Sequence, residues 1–362
     1  VSMEQRVQSW IRPEIQALSA YHVPDASELV KLDAMENPYT WPQDLRREWL
    51  KRLSHVDVNR YPDPRAKDLA GELRLAMQVP GEMAVLLGNG SDEIIQMLAL
   101  AVSGQGRSIL SVEPGFVMYS MIATWCGMDY HGVPLRGEDF SLDMPALRLA
   151  IGKHQPALIF LACPNNPTGN LFADEEIVEV LEMAPGLVVV DEAYAPFTDH
   201  SFMSRLGRFD NLLVMRTVSK LGLAGLRLGM LAGPQAWLDE IDKVRMPYNI
   251  NVLTQETARF ALEHHQVLDE QTRAIRRDRQ KMFESLQGMQ GITAYPSQAN
   301  FILARTAPGR AQALFEHLLN NGVLVKKLHG SHPLLEDCLR FTVGRPEENR
   351  QLLELLEGFG HG

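Results

Sequence analysis

Leu187-Val188-Val189-Val190-Asp191-Glu192-Ala193-Tyr194 is the stretch on which the reading of this chain turns. Four consecutive apolar residues rich in β-branched side chains leave neither face of a strand polar. Such a run belongs inside a sheet covered on both sides, which is the habit of parallel sheets layered with helices. Comparable runs lie at 85–87, 109–112, 157–163, 212–215 and 228–232, separated by longer segments of helical period. Between residues 91 and 102, Ile94, Ile95, Leu98, Ala99 and Val102 trace one helical face, with Ser91 as N-cap and Asp92 and Glu93 in the first turn. The expected fold class is therefore α/β, with a mostly parallel sheet between helices.

Beyond that sheet the texture changes. A polar helix is expected over 254–286, and the runs at 300–304 and 339–343 with the helical 311–319 read as a smaller α+β unit. With 362 residues and roughly 150 per domain, the chain divides into an N-terminal arm (1–35), a large domain (36–260) and a small C-terminal domain (261–362). Lys and Arg number 35 against 45 Asp and Glu, a net charge of −10, so the basic footprint of a nucleic-acid binder is missing. No apolar stretch reaches the ~20 residues that a bilayer requires, and the first residues lack a signal-peptide pattern. The three cysteines, Cys126, Cys163 and Cys338, match neither a zinc site nor a disulfide framework. A cytoplasmic protein without a metal or a membrane partner is expected.

In open α/β sheets ligands sit beyond the carboxyl ends of the strands. Three polar clusters fall there: Pro164-Asn165-Asn166-Pro167-Thr168-Gly169, Asp191-Glu192-Ala193-Tyr194, and Thr217-Val218-Ser219-Lys220. A single lysine is ordinarily a solvated surface group and a single strand-end acid a turn former. Together they acquire a common purpose, because pyridoxal phosphate needs a lysine for its Schiff base and an acid for its pyridine nitrogen. It also needs an anion cradle, and the Gly90-Ser91-Asp92 turn at a helix start offers free backbone N–H groups.

With these motifs, and with Glu36-Asn37-Pro38-Tyr39, Arg60-Tyr61-Pro62, Gly225-Leu226-Arg227 and the segment 339–344, the chain resembles the fold-type I pyridoxal-phosphate-dependent aminotransferases along essentially its whole length. Within them it is similar to the histidinol-phosphate aminotransferase family. The resemblance implies that Lys220 carries the cofactor, Asp191 pairs with the ring nitrogen, and Asn166 and Tyr194 contact the 3-oxygen. It assigns the phosphate to Ser91, Asp92, Ser219 and Arg227, the stacking position to Phe116, and a phosphate contact from the neighbouring subunit of a homodimer with shared active sites to Tyr61. Tyr21, Asn37, Lys326 and Arg340 fall at substrate-side positions, Arg340 as binder of a carboxylate.

Two features depart from an easy fit. Asp92 and Glu93 would repel a bound phosphate unless they point away, and Lys326 stands where relatives use an arginine, so it supplies charge without a bidentate fork. The implied reaction is transamination of L-histidinol phosphate with 2-oxoglutarate, giving imidazole acetol phosphate and L-glutamate. Its rivals are decarboxylation of a phosphorylated amino acid and transamination of aromatic amino acids.

Overall fold

The computed structural model describes residues 1–20 and 25–360 of the chain. Twelve strands are formed among them: β1 (Val30–Leu32), β2 (Ala84–Gly88), β3 (Ser108–Glu113), β4 (Asp129–Pro134), β5 (Leu158–Ala162), β6 (Leu187–Asp191), β7 (Leu212–Thr217), β8 (Gly229–Gly233), β9 (Ile292–Ala294), β10 (Phe301–Thr306), β11 (Val323–Lys327) and β12 (Cys338–Thr342). Seven make the main sheet, in the order β2-β8-β7-β6-β5-β3-β4. Only β8 runs against its neighbours. The carboxyl ends of β2, β3, β5, β6 and β7 therefore open onto one edge.

The apolar runs explain this layering. Val188 and Val190 pack into a core on one face of the sheet, while Leu187 and Val189 pack into the core on the other. Successive strand residues point to opposite faces, so a strand covered on both sides must be apolar throughout. β4 shows the converse. It is an edge strand, largely exposed, and its Asp-Tyr-His-Gly-Val-Pro sequence carries no run from which it could be anticipated.

The smaller sheet has the order β1-β11-β12-β10-β9 and a core of its own. β1, from the N-terminal segment, pairs in parallel with β11. The single helix expected over 254–286 is two, Val252–Glu263 and His265–Gln287, joined at His264, whose φ of −111° and ψ of 28° leave the helical region. The second helix links the two bodies, since Leu268 packs into the main core and Ile275, Met282 and Leu286 into that of the smaller sheet. Ser91 is likewise not a cap: the helix Ser91–Val102 begins at Ser91, and Gly90, at φ 84°, holds the cap position. No helix among the described residues is long and apolar enough to cross a membrane.

Candidate active site

Register brings the three expected clusters to one level. Ala162 pairs with Asp191 and Asp191 with Met215, so the loops after β5, β6 and β7 leave the sheet side by side. Beneath them lies a cavity of about 120 Å³. Ser91, Asp92, Phe116, Asn166, Asp191, Tyr194, Ser219, Lys220 and Arg227 all line it. Of the cofactor-side residues expected from the sequence, only Tyr61 lies elsewhere.

Asp191 is 4% exposed. The Tyr119 hydroxyl donates to Oδ2 at 2.6 Å and the Ala193 amide to Oδ1 at 3.0 Å, so each carboxylate oxygen is oriented by one donor. Burial pushes its pKa up to about 6, against the pull of those two bonds. A cation placed in the cavity would recover that lost solvation. Tyr119 is held by its ring, stacked 4.5 Å from Phe160 and edge-on to Phe116. Sequence reading passed over it, because a tyrosine in the apolar helix Met118–Trp125 looks like core. The signal available was its hydroxyl, which must find a partner when buried.

Lys220 sits in the short 3₁₀ turn Ser219–Leu221 that ends β7. Burial, and then the positive field of Arg340, draw its pKa down to about 8. Its Nζ lies 3.4 Å from the Ala34 carbonyl and 5.6 Å from the centre of the Tyr194 ring. A primary amine so depressed keeps a neutral fraction of about a tenth at pH 7, far above that of an ordinary lysine, and the neutral form is what a nucleophile requires.

The opposite end is built for an anion. The helix Ser91–Val102 begins without a side-chain cap, leaving its first N–H groups unclaimed by one. A Cβ on Gly90 would fall 2.7 Å from Arg227 Nη2, so only glycine lets the guanidinium approach. The anticipated repulsion is resolved by side-chain direction. Glu93 turns back to the Asn89 amide and to Asn249 Nδ2 at 2.7 Å, and Asp92 is neutralised by Arg227 at 3.0 Å. Ser219, its hydroxyl accepting from Thr217 Oγ1 at 2.9 Å, lines the same cavity.

On the substrate side, Arg340 is buried, donating from Nη1 to Asn166 Oδ1 at 2.5 Å and from Nη2 to the Asp33 carbonyl at 2.8 Å. It lines a second cavity of about 490 Å³ that shares Met35, Phe116 and Asn166 with the first. Lys326 lines that cavity too, opposite Arg340 in the β11–β12 register. Asn37 differs from the expectation. Its amide donates to the Leu221 carbonyl and to Gln271 and accepts from the Tyr39 N–H, so it braces the lysine loop instead of facing either cavity. Tyr61 is 81% exposed and stacks on Tyr248, outside the cavities of its own chain. Tyr21 lies outside the described residues.

The donor set fits pyridoxal phosphate at each of its polar groups: an amine for the aldehyde, a buried acid for the ring nitrogen, an amide and a phenol for the 3-oxygen, and a helix start with an arginine for the phosphate. Fold and site thus define a pyridoxal-phosphate-dependent aminotransferase. The family profile described as aminotransferase class I and II matches residues 27–356, and the chain belongs to that family. Within it, the chain is 57% identical to histidinol-phosphate aminotransferase 2 of Nitrosococcus oceani over 97% of its length and 98% of that protein. It is 55% identical to the protein of the same name from Cupriavidus pinatubonensis, over 95% of this chain and 94% of that one. The histidinol-phosphate aminotransferase of Sinorhizobium meliloti, solved with pyridoxal 5′-phosphate, shares the fold at a TM-score of 0.85 with 24% identity, covering 98% of each chain.

Proposed function

We propose that the protein transfers the amino group of L-histidinol phosphate to 2-oxoglutarate, yielding imidazole acetol phosphate and L-glutamate, in the biosynthesis of histidine. The carrying observation is the convergence of Lys220, Asp191 and Arg340 on two connected cavities, with Lys326 facing the larger one. Free cysteines at 126, 163 and 338 support a cytoplasmic setting.

Bound there, pyridoxal phosphate supplies an electron sink conjugated with the amino-bearing carbon. The chain's own residues do the rest. Asp191, fixed by Tyr119 and Ala193, holds the proton on the ring nitrogen. With the cofactor bound, Lys220 Nζ, at the same sheet edge, would take the proton from the amino-bearing carbon and deliver it to the cofactor carbon C4′. Asn166 and Tyr194 orient the ring through its 3-oxygen, and Arg340 and Lys326 bind the anionic groups of both substrates. Tyr61, displayed on the surface, serves the active site of the second subunit of a homodimer.

The test is single-turnover conversion of the bound cofactor by histidinol phosphate, histidinol, phenylalanine and threonine phosphate. A charged hydrogen bond contributes ~1.5–3 kcal/mol, so loss of the donor phosphate is expected to lower specificity by about one to two orders of magnitude. Equal reaction of histidinol and its phosphate overturns the phosphate-reading site. Preference for phenylalanine makes the protein an aromatic aminotransferase, and release of carbon dioxide from threonine phosphate makes it a decarboxylase.

A further inference from the structure

The larger cavity is lined by charges of both signs. Arg340 and Lys326 supply the cations, and β3 ends in Glu113, which lines the same cavity together with Ser120, Tyr130 and His332. The position of this carboxylate is arranged by a neighbouring strand. β3 and β4 are paired, and a Cβ built on Gly132 would fall 2.1 Å from Glu113 Cδ and 2.4 Å from each of its oxygens. Any other residue at 132 would evict the side chain from where it lies. The φ of Gly132 is not in the left-handed region, so backbone conformation does not demand glycine there; the space taken by Glu113 does.

What the carboxylate touches leaves it with capacity. His332 Nε2 is 3.9 Å from Oε2, beyond hydrogen-bonding reach. The Tyr130 hydroxyl donates to it, and burial, then the Glu113 charge and that hydrogen bond, raise the phenol above its ordinary value. An ionised carboxylate has about four lone-pair sites, more than these neighbours use. The side chain is 37% exposed, so the cavity reaches it.

We propose that Glu113 is a specificity-determining residue whose carboxylate accepts the N–H of the donor's imidazole, and that Gly132 is the vacancy that positions it. The inference rests on the histidinol phosphate reading and adds the recognition of its second arm. In that substrate the amino-bearing carbon separates an imidazole from a phosphate. A cavity lined by one carboxylate and two cations, and sharing Asn166 and Phe116 with the cofactor pocket, offers a partner of the right kind for each arm. Glutamate carries a carboxylate in place of the imidazole, and Glu113 repels it.

The experiment compares KM for histidinol phosphate and for glutamate, with binding of each followed independently by the spectral change of the holoenzyme. Glu113→Gln keeps the shape and removes the charge. The ratio of KM for histidinol phosphate to KM for glutamate is expected to rise by about ten- to a hundredfold, with kcat for histidinol phosphate affected far less. Gly132→Ala, which displaces the carboxylate without altering it, is expected to shift the ratio in the same direction. An unchanged ratio in Glu113→Gln, in a protein whose wild type accepts histidinol phosphate, overturns the role of Glu113 alone and decides the matter if Gly132→Ala does not fold. A wild type that accepts no imidazole-bearing donor overturns this inference and the proposed function together.

Discussion

At the residue scale, Asp191 shows function drawing against stability. Its folded pKa of about 6 stands above the ordinary 3.8, so the folded chain holds this proton more tightly than the unfolded one. Stability then falls as pH rises from 3.8 to 6, and above 6 the buried anion costs about 3 kcal/mol in the absence of cofactor. Asp191→Asn removes that cost. Urea unfolding of the cofactor-free variant is expected to show a gain over wild type above pH 6 that closes below pH 4, while transaminase activity drops by about 10²-fold or more. Tyr119→Phe keeps the stack on Phe160 and deletes the donor to Oδ2, which raises the Asp191 pKa further. A loss of about ten- to a hundredfold in turnover, with the acidic limb of the pH–rate profile moved to higher pH, is the expected outcome; an unmoved limb would make Tyr119 a packing residue only.

At the scale of elements, β6 and β7 are tied at the end that bears the chemistry. Glu192, 1% exposed, accepts from Arg216 Nε at 2.9 Å and Nη2 at 2.7 Å, and from the Ser201 hydroxyl and the Phe202 amide. Glu192 follows Asp191 at the end of β6 and Arg216 precedes Ser219-Lys220 at the end of β7, so the pair sets the loops that bear Asp191 and Lys220 level. Removing one partner of a buried pair strands the other. Arg216→Ala is expected to destabilise by ~3–5 kcal/mol in urea titration, and Glu192→Gln combined with Arg216→Met by much less, the difference appearing as a coupling in the double-mutant cycle.

For the whole molecule, Tyr61, Tyr248, Met246, Leu253 and Val58 are exposed together with other large apolar side chains, and the first two stack at 4.4 Å. Tyr61 sits outside the cofactor pocket of its own chain, as a residue that serves a second copy must. If the sites are shared, mixing Tyr61→Ala with Lys220→Ala places both lesions in one site of the heterodimer and leaves the other intact. Activity is then expected to reappear on subunit exchange, approaching one competent site per mixed dimer. Sedimentation as a monomer under active conditions, or two inactive variants whose mixing restores nothing, would count against it.

The sequence by itself determined the six buried strands of the main sheet and, through the family it resembles, the cofactor. Buried parallel strands must be apolar on both faces, so runs such as 187–190 announce themselves, and chemistry placed at strand ends follows them at fixed offsets in the chain. It did not determine features whose cause lies across space. The segment 254–286 breaks at His264 and then, within its second helix, passes between Leu268 and Ile275 from the main core to that of the smaller sheet, and periodicity does not record which core a face meets. β4 is polar because it is an edge. Asn37, read as substrate-side, is spent on bracing the loop of Lys220, and Tyr119, which no motif singled out, holds Asp191 from 72 residues away in the chain. Glu113 owes its place to a glycine on the neighbouring strand. Hydrogen bonds and excluded volume act between atoms that only the folded chain brings together, so the placement of these three side chains was decided by tertiary structure.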